Sequence, residues 1–185
     1  MGDLIYSAIA SLDGYTADDD GNFDWGAPGE EVHEFVNDLL RPVGTYLYGR
    51  RMYEVMRAWE RPEALPDATP AMLDFSDVWR AADKVVYSRT LDGVATERTR
   101  LERDFDVEAV RDLKASAERD LTVAGPELAA HAIRAGLVDE YQLFFAPVLV
   151  GGGTRYVPDG VRMDLELIEE RRFDGGFAYL RYLSA

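Results

Sequence analysis

The sequence predicts an α/β protein of three layers, with helices on both faces of a mostly parallel central sheet and an antiparallel hairpin at the C-terminal end. Three observations predict it. Short β-type runs alternate with helical patterns from Leu4 to Ala135, an order that yields parallel strands joined by crossover helices. After Glu140 strands follow one another, and the last two flank Asp174-Gly175-Gly176, a hairpin turn. Hydrophobic residues make up 47% of the 185 residues, enough to bury a core, so a single domain over 1–185 is expected.

Taken in order, Leu4–Ala10 reads as a buried strand. A turn-rich stretch, Ser11 to Gly29, follows and carries Asp13-Gly14 and Asp18-Asp19-Asp20-Gly21. Glu30–Leu40 is a helix: Val32, Phe35, Val36, Leu39 and Leu40 recur at helical spacing, Glu30 and Glu31 suit its positive end, and Arg41-Pro42 stops it. Thr45–Tyr48 is a strand, and a helix runs from about Arg50 to Trp59. Glu60–Pro70 contains Pro62, Pro66 and Pro70 and reads as a loop. Ala71–Ala82 is helical, with Met72, Phe75 and Trp79 on one face. Lys84–Ser88 and Thr99–Phe105 are strands, Val107–Ala117 a helix, Leu121–Ala124 a strand and Pro126–Ala135 a helix with proline at its start. Glu140–Val150 reads as one long strand, Gly151-Gly152-Gly153 as a turn, and Asp164–Phe173 and Phe177–Leu183 as the closing pair.

Composition removes several function classes. There is no cysteine, so disulfides, thiolate catalysis and cysteine-ligated metals are excluded. His33 and His131 stand far apart in no ligand spacing, and no metal is expected. His33 is expected on the exposed side of its helix, and His131 at the surface or in packing. Tyr46, Tyr48, Tyr53, Trp59 and Trp79 are expected to pack rather than react. The net charge of −15 repels nucleic acid and acidic membranes, so neither is an expected partner, and any anionic ligand needs a local cluster of donors. The longest apolar run, near Leu143–Val150, is too short to span a bilayer, and no leader-like segment precedes Leu4-Ile5-Tyr6; a cytoplasmic location is the expectation.

Candidate site residues lie where strands end, the place where ligands collect in open α/β sheets. Ser11-Leu12-Asp13-Gly14-Tyr15 follows the first strand and also reads as a plain Asp-Gly turn. Gly49-Arg50-Arg51 opens a helix, whose free N–H groups attract phosphate. Two arginines there oppose the helix dipole unless an anion joins them, or are two solvated side chains on a first turn. Ser88-Arg89-Thr90 offers two hydroxyls and a guanidinium suited to a phosphate monoester, or is an ordinary polar loop. Gly125-Pro126-Glu127 combines bare backbone with a helix start, or simply punctuates the helix; it is not the common GxGxxG dinucleotide pattern. Gly152 and Gly153 could approach a ligand through bare backbone, or form a turn or bulge. Trp25, in the loop after the first strand, is a pocket candidate.

These segments, SLDGY at 11–15, YGRRMYE at 48–54, VVYSRTL at 85–91, VAGPEL at 123–128, LVDEYQLFFAPVLVGGGTRY at 137–156 and LELIEERRFDGGFAYLRY at 165–182, resemble in order and spacing the dihydrofolate reductase superfamily. Within it they are most similar to the branch related to the reductase domain of the bifunctional riboflavin-biosynthesis deaminase/reductase. The resemblance implies a dihydrofolate-reductase-like fold and an NADPH site along the strand ends. Gly49, Arg50 and Arg51 would be the phosphate-binding helix start, Ser88, Arg89 and Thr90 the 2′-phosphate site, and Gly125, Pro126 and Glu127 the pyrophosphate turn. The backbone of Ala8 would hold the nicotinamide carboxamide. Asp13 would have a polar or proton-relaying role, with Tyr15 and Trp25 beside the substrate. The implied activity is NADPH-dependent hydride transfer to a small polar substrate, a pyrimidine ribosylamine or a pteridine. A dihydrofolate reductase proper and a non-catalytic nucleotide-binding module are the alternatives. The family also implies a homodimer paired through the late strands, with Phe144, Phe145 and Leu149 facing either a core or the partner.

Overall fold

The computed structural model describes residues 1–65 and 67–185. Pro66, within the expected proline loop, lies outside the described residues. The centre is one eight-stranded sheet. Its core is six parallel strands in the order β5 (Thr99–Glu102), β4 (Asp83–Tyr87), β3 (Thr45–Gly49), β6 (Leu121–Ala124), β1 (Leu4–Ser11) and β7 (Glu140–Ala146). Two antiparallel strands extend the β7 side, β10 (Ala178–Ser184) and then β9 (Leu165–Arg172) at the edge. The expected three-layer α/β fold with its C-terminal hairpin is therefore present.

Alternation along the strands divides two cores. Leu4 and Tyr6 of β1 join Leu47, Val85, Leu121 and Val123 beneath α4 (Val107–Ser116) and α5 (Pro126–Arg134). Ile5, Tyr46, Tyr48 and Val86 point to the other face, where α2 (Arg50–Met56) supplies Tyr53 and α3 (Pro70–Ala81) supplies Phe75 and Trp79. On that same face α1 (Glu30–Leu40) packs Val32 and Phe35 on Phe144, Phe173 and Tyr179. Helix ends are set locally. Thr69 accepts from the Met72 N–H ahead of Pro70, and Asp106 accepts from the Glu108 and Ala109 N–H groups.

Four expectations change. The helix from Arg50 is α-helical only to Met56 and then tightens into a 3₁₀ turn over Arg57–Glu60, with a second such turn at Pro62–Ala64 inside the expected loop. The strand from Glu140 ends at Ala146, because Pro147 has no N–H to continue a ladder and the Val148 N–H turns back to the Ala146 carbonyl. Two short strands unseen in the sequence, β2 (Tyr15–Ala17) and β8 (Thr154–Arg155), pair antiparallel as a separate small sheet. His33 is half-buried, not exposed, with its ring 5.8 Å from Trp59 and 5.7 Å from Phe75. Burial lowers its pKa, so it stays neutral at pH 7. Tyr46, Tyr48, Tyr53 and Trp79 are in the core as expected, Trp59 is half-buried against it, and His131 is exposed and stacks on Phe105.

Candidate active site

The connections leaving β3 and β6, which are neighbours in the sheet, run to opposite faces: β3 into α2, β6 into α5. Such a divergence opens a crevice at the carboxyl ends of the strands, and both helix starts line it. They nearly touch. A Cβ on Gly125 would stand 3.3 Å from the Met52 Cβ, and one on Gly49 would stand 3.7 Å from the Leu128 Cβ. Gly125 also has φ +91°, so glycine satisfies both the close approach and the backbone. The ion pair of Arg51 with Glu127, at 3.1 Å, bridges one helix start to the other.

The next strand end continues this line. Arg50 donates to the Thr90 hydroxyl at 3.0 Å and to Glu54 at 2.9 Å, tying the start of α2 to the loop after β4. In that loop the buried Ser88 accepts from the Thr90 and Leu91 N–H groups. Arg103 donates to the Ser88 and Leu91 carbonyls, and Arg89 pairs with Asp104. The structure thus brings Gly49, Arg50, Arg51, Ser88, Arg89, Thr90, Gly125, Pro126 and Glu127 along one edge. Arg103 and Asp104 belong to it too, and sequence reasoning missed them. Their only signal was position, just past a strand that pairs with β4.

On the other side of the crevice β1 pairs with β7 as far as Ser11, but with β6 only as far as Tyr6. The backbone around Ala8 is therefore free of sheet pairing on its β6 side. Peptide groups there can donate to and accept from a ligand, as an amide requires.

The segments beyond β1 and β7 are zipped into one flap. The Leu12 N–H donates to the Val148 carbonyl at 2.8 Å, the Thr16 hydroxyl to the Thr154 carbonyl, and the Tyr156 N–H to the Gly14 carbonyl. Asp13 accepts from the Gly151 N–H at 2.7 Å and the Val150 N–H at 3.2 Å. A hydrogen bond from Ser11 and these amides hold its carboxyl below the usual carboxylate range. The carboxylate thus ties the segment after β1 to the Val150–Gly151 backbone, as a latch would. The bare faces of Gly152 and Gly153 serve the flap itself. A Cβ on Gly152 would stand 2.7 Å from the Asp19 carboxylate, and one on Gly153 would overlap the Ala17 carbonyl oxygen. Tyr15 is half-buried in β2 under the Arg155 guanidinium. Trp25 is half-buried in a 3₁₀ turn, Asp24–Gly26, with its indole N–H on the Asn22 carbonyl. Where α5 meets the flap, an open depression of about 340 Å³ is lined by Pro126, Glu127, Gly153 and Arg155. Among the described residues no group of three or more His, Cys, Asp or Glu is placed to hold a metal ion, and no helix is long and apolar enough to cross a membrane.

This crevice on this sheet defines a dihydrofolate-reductase-like architecture. A Shewanella sp. PV-4 protein named for riboflavin biosynthesis superposes with a TM-score of 0.76 at 20% identity, over 99% of each chain. Dihydrofolate reductase of Enterococcus faecalis, complexed with NADP(H), superposes with a TM-score of 0.66 at 16% identity, over 99% of this chain and 96% of its own. A diaminohydroxyphosphoribosylaminopyrimidine deaminase/5-amino-6-(5-phosphoribosylamino)uracil reductase of Thermotoga maritima gives 0.68 at 15% identity, over 100% of this chain and 57% of the longer Thermotoga protein. Within the architecture the family is defined by sequence: residues 3–179 match the RibD C-terminal domain, and the chain belongs to that family.

Proposed function

We propose that the chain is a reductase that binds NADPH along the crevice and transfers hydride to a small polar substrate with a C=N or C=O group. One observation carries this reading: two helix starts and three arginines, Arg50, Arg51 and Arg89, line one continuous edge that ends at the unpaired backbone of Ala8. Each of these arginines is paired with a carboxylate, Glu54, Glu127 or Asp104, so the attraction for an anion comes from the helix-start N–H groups together with guanidinium donors that can exchange partners. The residues fit the cofactor. Arg50, Arg51 and the N–H groups at the starts of α2 and α5 would take the pyrophosphate. Ser88, Arg89 and Thr90 would take the 2′-phosphate. The backbone of Ala8 would take the carboxamide. Bound there, NADPH would supply the hydride, while the protein supplies position and electrostatics.

The substrate would lie between the Ala8 end of β1 and the flap, near Tyr15 and Trp25. The names of the Thermotoga and Enterococcus proteins favour a pyrimidine ribosylamine or a pteridine. Asp13 would act by positioning, since its carboxylate fixes the flap against the Val150–Gly151 backbone. A homodimer belongs to the same reading. Phe144 is buried and Phe145 packs on Tyr156, but Leu149 is exposed, as are Leu165, Leu167 and Ile168 on the edge strand β9. Light scattering at the monomer mass of 20.8 kDa would remove the dimer.

Thermal melting with NADPH tests the central claim. At about a hundredfold excess over Kd, binding adds roughly 2.7 kcal/mol, a rise of roughly 5–10 °C for a domain of this size. A shift of that order justifies a substrate screen. An unchanged melting curve at millimolar NADPH removes the reductase reading and leaves the fold.

A further inference from the structure

The three arginines that would face the phosphates each already carry a carboxylate of this chain: Glu54 on Arg50, Glu127 on Arg51, Asp104 on Arg89. Asp104 is the informative one, because of where its partner stands. Arg89 Nε donates to Asp104 at 2.6 Å. The loop beneath the pair is fixed by Ser88, which accepts from the Thr90 and Leu91 N–H groups, and by Arg103, which donates to the Ser88 and Leu91 carbonyls. The Ser88 and Thr90 hydroxyls both accept here, Ser88 from two backbone amides and Thr90 from Arg50, and each keeps its own O–H to donate. The one charged donor of the Ser88-Arg89-Thr90 loop is the Arg89 guanidinium. Its Nε is held by a carboxylate.

Resting on the NADPH reading above, we propose that Asp104 sets the cofactor specificity: it competes with the 2′-phosphate for Arg89 and accepts the 2′-hydroxyl of an unphosphorylated adenosine ribose, so that the chain takes NADH as well as NADPH. The chemistry is that of two anions and one cation. A phosphate and a carboxylate on the same guanidinium repel, so the phosphate binds Arg89 at the expense of its pair with Asp104. A ribose hydroxyl needs no displacement. It is a donor, and the carboxylate is the acceptor it lacks. Both side chains are largely exposed, 80% for Arg89 and 61% for Asp104, so the competition is modest and screened by salt.

The test is calorimetric titration of the whole chain with 2′,5′-ADP and with 5′-AMP, repeated with NADPH and NADH. In Asp104→Asn the affinity for the 2′-phosphate forms rises and that for the unphosphorylated forms falls, so their ratio grows about fivefold at low salt, the span of an exposed ion pair. The gain shrinks at high salt. Asp104→Glu keeps the charge and restores a ratio near that of the native chain. A lower affinity of Asp104→Asn for 2′,5′-ADP overturns the proposal, because Asp104 would then be orienting Arg89 for the phosphate. An unchanged ratio also overturns it, while leaving NADPH binding intact. Absence of binding by all four ligands to the native chain removes the cofactor reading itself, and this inference with it.

Discussion

Replacing Lys84 by methionine changes how stability depends on pH. Lys84 begins the second residue of β4 yet is only 1% exposed. Its ammonium donates to the Trp79 carbonyl at 3.1 Å and the Ala82 carbonyl at 2.9 Å, and lies 4.2 Å from the centre of the Trp79 ring. Burial lowers its pKa from 10.5 to about 8, outweighing the attraction of Glu60. The sign follows from proton counting. Below pH 8 both folded and unfolded chains hold the proton, and the cost of burying the charge is constant. Between about 8 and 10.5 the unfolded chain holds a proton that the folded chain has released, so stability rises with pH. The full rise is about 3 kcal/mol, at about 1.4 kcal/mol per pH unit. The neutral amine keeps two N–H donors for the two carbonyls, so the rise is not offset by lost hydrogen bonds. Lys84→Met cannot titrate and lacks the rise. Urea unfolding of both chains from pH 7.5 to 10.5 isolates it, because the buried tyrosines Tyr46, Tyr48 and Tyr87, whose pKa values are also raised, titrate equally in each. The native chain is expected to gain about 2–3 kcal/mol on the variant across that range. A difference constant within about 0.5 kcal/mol would refute the reasoning.

Two further predictions concern the flap. Gly153→Ala forces a Cβ into the Ala17 carbonyl at φ +122°, and is expected to destabilise by about 1–3 kcal/mol. Gly151→Ala, at φ +81° with nothing near its Cβ, isolates the backbone strain and should melt higher; equal melting temperatures would deny the steric contact. Asp13→Asn removes the charge that the Val150 and Gly151 amides donate to, and hydrogen exchange at those amides is expected to accelerate while Leu47 in the central sheet is unaffected. Unchanged exchange there would leave Asp13 without the role of a latch.

The parts of the fold legible in the sequence are those fixed by local chemistry. Glu30–Leu40 shows its full length because Gly29, a stripe of apolar side chains and Arg41-Pro42 all act within it. The late hairpin is equally local, since Gly176 takes φ +84° at its turn. What was hidden depends on distant partners. The three residues of β2 become a strand only through β8, which pairs Tyr15 with Arg155 and Ala17 with Thr154 from the far end of the chain. His33 lies off the main apolar stripe, and looks solvent-facing on a helix with one buried side. But α1 packs on α3 as well as on the sheet, which widens its buried arc to take in His33 and Asn37, whose amide donates to the Ala71 carbonyl. The arginines of the crevice were visible because cations at a helix start lack a local reason to be there. Two of their carboxylate partners were not, because Glu127 reaches Arg51 across the crevice and Asp104 reaches Arg89 from the segment after β5; Glu54 is a local i,i+4 partner of Arg50.

Those partners bear on how an acidic protein could hold a polyanionic cofactor. The charge of −15 repels such a ligand at long range, and no arginine on the edge stands bare to attract it. Binding on these terms would be exchange: each phosphate group would take a guanidinium from a side-chain carboxylate, and the net gain per site would be a difference between two ion pairs. The gain must come from geometry that a lone carboxylate cannot match. The two helix starts, held within van der Waals reach by Gly49 and Gly125, offer backbone N–H groups that Glu127 leaves unused when it pairs with Arg51. Salt then acts in two opposing ways. It screens the overall repulsion that slows encounter, and it weakens the local contacts that hold the bound state. Association should therefore quicken with ionic strength while residence shortens, the reverse of the first effect in a basic nucleotide-binding protein, where salt slows both approach and capture.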